Sequence, residues 1–401
     1  MPVDVLILNT AVMDMWSRDF EFTRAHVEPG GVAKGSYADM PDFPQEQIRD
    51  WIETGPSCAG GIGNSAPLMS RAGLSVAAGA NLGAGPGGGL DAAGLAFYNI
   101  LEASGIDLSA VYRHPDLPTG VTFIHDAPDD ERGGIVYFAN ANDDFDFDRY
   151  RPHVERLSPT VVYYMYSGLS TRADANGGRD LAGFVAWCRS QGCVTIVDSH
   201  TLTANPAELI ASGSPVEEYR LLEPLLPELD LFFTSSDEAK MIYNTLCEPR
   251  DWAAIPEEEA LALYLDFVTS RYAGGSWPQL FGVTYGSGAM AGLVTGQGEV
   301  RGPHVVESRF LLGDAVALTG AGDSFRAGLV SYVARNESSF RDGSLNVPEA
   351  LQVGNLAACL YLTAPLDDRY ANVRSFEAML RVVQSPDEFA SLKDLMLSLD
   401  T

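Results

Sequence analysis

The sequence predicts an α/β fold built on a mostly parallel sheet with helices on both faces. Short, nearly unbroken apolar runs alternate with helical stretches along most of the chain. A strand covered on both faces reads as such a run, because neither side of it meets water. Two segments, at about 15–55 and 111–142, break that rhythm and predict a small accessory sheet.

The first strand is expected from Val3 to Leu8, continuing through Asn9 to end at Asp14. Further strands are expected at 160–166, 194–197, 229–233 and 281–284, with helices at 181–190, 236–243 and 257–272 between them. The segment 15–55 is polar and loop-rich. Segment 111–142 alternates apolar and polar residues, as in Gly120-Val121-Thr122-Phe123-Ile124-His125, which suggests a half-exposed antiparallel sheet. The two together are read as one discontinuous lid. The remainder, 1–14, 56–110 and 143–401, is expected to form the α/β core.

A chain of 401 residues, 46% of them hydrophobic, has ample material for a large core. No apolar run approaches the roughly 18 residues of a membrane span. Met1-Pro2-Val3-Asp4 lacks the basic start of a secretory signal. Cys58, Cys188, Cys193, Cys247 and Cys359 are odd in number and without C-x-x-C spacing, as expected of buried thiols in a reducing cytoplasm. A net charge of −28 argues against nucleic acid as partner, since phosphate backbones need a basic footprint. Lysine occurs only at Lys34, Lys240 and Lys393; a high-salt cytoplasm and a GC-rich genome would each produce that pattern.

The most informative stretch is Thr319-Gly320-Ala321-Gly322-Asp323, which opens a helix through Leu329, Val330 and Val333. Small residues there let backbone N–H groups converge on an anion at the helix start. Asp323 in that turn would repel a phosphate unless it serves to deprotonate an attacking hydroxyl. Alone, the run reads more readily as a helix start with Asp323 supporting the dipole. Asp14 can accept hydrogen bonds from substrate hydroxyls, and the alternative is a strand-end turn cap. Gly60-Gly61-x-Gly63-Asn64 allows close backbone approach, with Asn64 offering both donor and acceptor.

Taken in order, these stretches resemble the ribokinase-like (PfkB) family of carbohydrate kinases. The strand ending in Met13-Asp14, the Gly60-Gly61 turn, Thr284-Tyr285-Gly286 and the Gly320–Asp323 run carry the resemblance, with Leu90-Asp91, Ser104-Gly105-Ile106-Asp107 and Thr119-Gly120-Val121 between them. It implies a three-layer α/β/α core with a β-sheet lid, and a γ-phosphoryl transfer from ATP, with Mg²⁺, to a hydroxyl of a sugar or a nucleoside. A relative that binds ligands without turnover is the other reading.

By the same resemblance, Asp323 is the catalytic base and Gly320, Ala321 and Gly322 form the anion hole. Asp14, Gly60, Gly61 and Asn64 hold the substrate. Ser235, Thr284, Gly286 and Asn355 lie near the nucleotide, and Glu238 organises the metal, through water. Dimerisation through the lid is a further expectation, with exposed strand edges as its physical motive.

The departures are local. Ser235 stands where the family's N-x-x-E motif has asparagine, and Ala317 replaces an aspartate that helps form a monovalent-cation site, so potassium activation is not expected. Asp198-Ser199-His200 replaces Asp-x-Asn. His200 reads as structural more readily than as a phosphate contact, and Arg326 reads equally as a nucleotide contact or a surface residue. No P-loop is present, and Gly286-Ser287-Gly288 lacks the rest of a dinucleotide fingerprint. Asp143, Asp144, Asp146 and Asp148 read as a solvated edge. The aromatics Phe20, Phe22, Tyr37, Phe43 and Trp51 leave room for a nucleoside-base slot in the lid.

Overall fold

The computed structural model describes residues 2–17, 20–35, 45–125 and 134–401. An eight-stranded sheet forms the centre, in the order Val300–Glu307, Gly288–Val294, Gln279–Tyr285, Leu231–Ser235, Val194–Ser199, Val161–Ser167, Val5–Leu8, Val76–Gly79. Pairing is parallel from Val76–Gly79 as far as Gln279–Tyr285, and the two strands beyond are antiparallel. Val161–Ser167 and Val194–Ser199 are buried at every position. That is why they read as continuous apolar runs. Ile62–Arg71, Ala321–Arg335 and Val347–Leu362 share one core cluster; Arg179–Ser190, Ser236–Leu246 and Glu257–Tyr272 share another. Among the described residues no helix is long and apolar enough to cross a membrane.

The N-terminal expectation needs correction. The first strand stops at Leu8, because Asn9 (φ 67°) and Thr10 (φ 31°) adopt left-handed backbone that a strand cannot carry. The chain then enters a second sheet as Ala11–Ser17. Asp14 therefore lies inside a strand of that sheet, beside Thr122 and Cys58, and not at the edge of the central one.

The second sheet runs Val32–Gly35, Ile135–Phe138, Gly120–His125, Ala11–Ser17, Ser57–Gly61. It draws on residues 11–14 and 57–61 as well as the two expected segments. It is mixed and not antiparallel, since Ala11–Ser17 runs parallel to Gly120–His125, as Val32–Gly35 does to Ile135–Phe138. Nor is it half exposed. Met13, Met15, Val121 and Phe123 share a core with Ile48 and Phe20, while Val12, Asp14, Thr122 and Tyr137 line a cleft on the other face. The alternation in Gly120–His125 separates core from cleft, not core from solvent.

Phe20 packs edge-on to Trp51 and Phe123, with ring centroids 5.0 Å apart in both pairs, so these aromatics fill the core and do not line the cleft. Tyr37, Phe43 and the side chain of Phe22 lie outside the described residues. The acidic run at 143–148 is also more than a solvated edge. Lys34 pairs with Asp143, and Arg172 bridges Asp144 and Asp146 at 2.7 Å each.

Candidate active site

A cleft of about 620 Å³ opens between the two sheets, floored by the start of helix Ala321–Arg335. Asp14, Gly61, Asn64, Ser235, Glu238, Thr284, Gly286, Asn355 and the whole run Gly320–Asp323 line it. Gly60 does not. It stands behind Asp14, where an added Cβ would come 2.3 Å from Asp14 Oδ2. Its missing side chain leaves the carboxylate its place.

Gly320 precedes the helix with φ 86°, in the region glycine reaches without cost. An added Cβ there would meet the Tyr361 ring at 2.8 Å. The turn therefore needs glycine on both counts; of the first helical N–H groups, which have no intrahelical partners, that of Ala321 donates to the Leu318 carbonyl at 3.2 Å.

Asp323 is 7% exposed and held on both oxygens. Oδ2 accepts from Asn64 Nδ2 and from the Tyr166 hydroxyl, each at 2.8 Å. Oδ1 accepts from Arg326 Nη2 at 2.9 Å. Asn64 is fixed in turn by Tyr361, whose hydroxyl donates to its Oδ1 at 2.7 Å. Arg326 is not a surface residue: it is 6% exposed, and its Nε lies 2.6 Å from Asp198 Oδ2. Tyr163 donates to the same Asp198 oxygen at 2.7 Å. Burial pushes Asp198 up to about 7, against the pull of Arg326. Its other oxygen is buried with no hydrogen-bond partner.

Sequence reasoning missed Tyr163, Tyr166 and Tyr361, and left Arg326 undecided. The one signal available was the arginine itself, three residues beyond Asp323 and thus one helical turn away.

Across the cleft, Asp14 accepts a hydrogen bond from Thr122. Burial pushes its carboxyl up to about 7, with Thr122 opposing and the charge of Asp323 reinforcing the rise. His200 is half-buried in the cleft wall, edge-on to Tyr166 at 4.8 Å. On the opposite side Thr284 donates to the Thr234 carbonyl at 3.3 Å, and at Gly286 an added Cβ would meet nothing within 4 Å.

Ser235 and Glu238 form a capping box at the start of Ser236–Leu246. Ser235 Oγ accepts from the Glu238 N–H at 3.3 Å, and Glu238 Oε2 accepts from the Ser235 N–H at 3.0 Å. Thr234 also donates to Oε2, at 2.6 Å, and Thr201 to Oε1, at 3.2 Å. Serine at 235 is thus accounted for as a helix cap. Among the described residues no three His, Cys, Asp or Glu side chains gather as a metal site. A hydrated Mg²⁺ still fits here, since Oε1 keeps a lone pair for a metal-bound water and Mg²⁺ takes few protein ligands beside substrate phosphates.

The layered, mostly parallel sheet with a smaller second sheet beside it matches the ribokinase-like fold. A probable sugar kinase from Rhizobium etli CFN 42 superposes with a TM-score of 0.63 at 16% identity, covering 95% of this chain and 98% of that one. Adenosine kinase from Anopheles gambiae, in complex with P1,P4-di(adenosine-5) tetraphosphate, gives 0.64 at 16% identity, with 90% and 96% covered. Fructokinase from Xylella fastidiosa with bound ATP gives 0.61 at 16% identity, with 95% and 98% covered. No protein-family model and no curated protein matches the sequence.

Proposed function

We propose that this protein is an ATP-dependent kinase that phosphorylates a hydroxyl of a sugar or sugar-like small molecule, with Asp323 as general base. The observation that supports it is the convergence of Asp323, the Gly320–Gly322 backbone and Asp14 on one cleft from distant parts of the chain. The acceptor lies between Asp14 and Asp323, with its hydroxyls bonded to Asp14 and Asn64. As one hydroxyl attacks, its proton passes to Asp323 Oδ2. Asn64, Tyr166 and Arg326 hold that carboxylate in a single orientation, so little reorganisation precedes the transfer.

The N–H groups at Gly320–Gly322 stabilise the charge on the transferring phosphoryl group. Magnesium-bound ATP would supply that group, and Glu238 is the residue that would hold the cation, through water. Leu311 and Leu318 are 65% and 45% exposed at the cleft rim, where a nucleotide base would cover them. Closure of the lid over the acceptor excludes water and with it ATP hydrolysis.

An adenosine-type nucleoside kinase is the second reading, because the structural neighbours include adenosine kinases. On the lid side Val12, Val32, Ile135 and Tyr137 offer the apolar surface a base would need. The deciding experiment is coupled ADP release with Mg-ATP over pentoses, hexoses and nucleosides. Turnover of sugars alone supports the first reading and turnover of nucleosides alone the second. No turnover by folded protein that still binds ATP and sugar would leave a ligand-binding relative.

A further inference from the structure

Arg369 lies in the loop between Val347–Leu362 and Phe376–Gln384, 3% exposed and outside the cleft lining. Its Nη2 donates to the carbonyl of Ala317 at 3.1 Å and to that of Thr319 at 3.3 Å. Nε and Nη1 are buried with no hydrogen-bond partner. Among the described residues no carboxylate pairs with it within 4.0 Å. The guanidinium instead sits over the Tyr361 ring, 4.3 Å from its centroid. A buried arginine without a counter-ion is costly and calls for compensation by another group.

The compensation is visible in the loop. Leu318, Thr319 and Gly320 line the cleft, whereas Arg369 stands behind them. A trans peptide points its N–H opposite to its C=O. With the Ala317 and Thr319 carbonyls drawn back to the guanidinium, the N–H groups of Leu318 and Gly320 are turned away from it, toward the cleft side. The same charge lies directly behind a turn in which negative charge would develop.

We propose that Arg369 is the positioning residue of the anion hole: it sets the peptide planes that lead into Gly320 and supplies a fixed positive charge behind them. The proposal rests on the kinase reading of that turn. It gives the unpaired guanidinium a partner present only during turnover, the anion on the far side of the loop.

The test compares Arg369→Ala and Arg369→Lys with wild type in ADP release, using guanidinium chloride well below denaturing concentrations as the probe. Arg369→Ala should lower kcat by roughly 10²-fold, the usual cost of losing one oxyanion donor, while the acceptor KM stays close to wild type. Free guanidinium should restore part of that kcat. Lysine should restore less than wild type, because a compact ammonium has no planar face to lie over the Tyr361 ring and so is not held in place beneath the two carbonyls.

A folded Arg369→Ala enzyme with wild-type kcat, or one that guanidinium does not rescue, overturns the proposal. Should the wild type release no ADP with any acceptor, the kinase reading fails by itself. Calorimetric binding of orthophosphate to both proteins then decides Arg369, weaker binding by the alanine variant supporting the role and equal binding overturning it.

Discussion

Arg326 Nη2 lies 2.9 Å from Asp323 Oδ1, one turn along the same buried helix, while its Nε lies 2.6 Å from Asp198. The carboxylate proposed as the base is thus one end of a buried acid–arginine–acid row. Such a row fixes orientation more than it stabilises the fold, since desolvation offsets much of the attraction.

Asp323→Asn keeps the shape and the contact to Tyr166 but removes the proton acceptor. The expected result is a fall in kcat by roughly 10²–10⁴ with ATP affinity nearly unchanged, measured by steady-state kinetics and calorimetry. A variant that remains fully active would remove Asp323 from the mechanism.

Arg326→Met leaves Asp198, fully buried, without its ion partner. Breaking a buried pair from one side costs about 3–5 kcal/mol, read by chemical denaturation. Adding Asp198→Asn removes the uncompensated charge, so the double variant should be more stable than Arg326→Met alone. If the single change costs less than about 1 kcal/mol, in the range of an exposed pair, the row does not matter to stability.

Asp14 carries a prediction for pH. Its folded carboxyl is pushed from 3.8 up to about 7 by burial. Between those values the folded protein holds a proton that the unfolded chain has released. The group's contribution to stability is therefore present below the lower value and lost as pH rises to about 7. Acceptor binding runs the other way, because only the ionised form accepts from several hydroxyls at once. The acceptor KM should fall as pH rises through about 7, and Asp14→Asn should abolish that dependence while raising KM. A wild-type KM that stays flat across this range would contradict the assignment.

The sheet and the glycine turns were legible because their signals are local. Burial on both faces writes itself as an apolar run in Val161–Ser167, and a close approach writes itself as glycine at Gly60 and Gly320. The break at Asn9-Thr10 was not legible, since the apolar residues of Val5–Leu8 and of 11–13 read as one continuous strand. The support around Asp323 was equally hidden. Tyr166 bonds it directly, while Tyr361 acts through Asn64 and Asp198 through Arg326, and a buried tyrosine that bonds a carboxylate looks in sequence like one that only packs. Arg326 reads equally as a nucleotide contact or a surface residue, and nothing local in the sequence marks Arg369.

Arg369 also bears on the departure at Ala317. The Ala317 and Thr319 carbonyls already accept from its guanidinium. A monovalent cation competing for those oxygens would meet a like charge about 4 Å away, a repulsion of about 4 kcal/mol at an effective dielectric constant near 20. Activity should therefore be the same in potassium, sodium and tetramethylammonium chloride at matched ionic strength. Arg369→Ala, which frees both carbonyls, is the variant in which a response to potassium could arise. The measurement is ADP release by wild type across the three salts. A clear potassium stimulation of the wild type would mean that the cation binds beside Arg369, and that the guanidinium does not fill the place left by the missing aspartate.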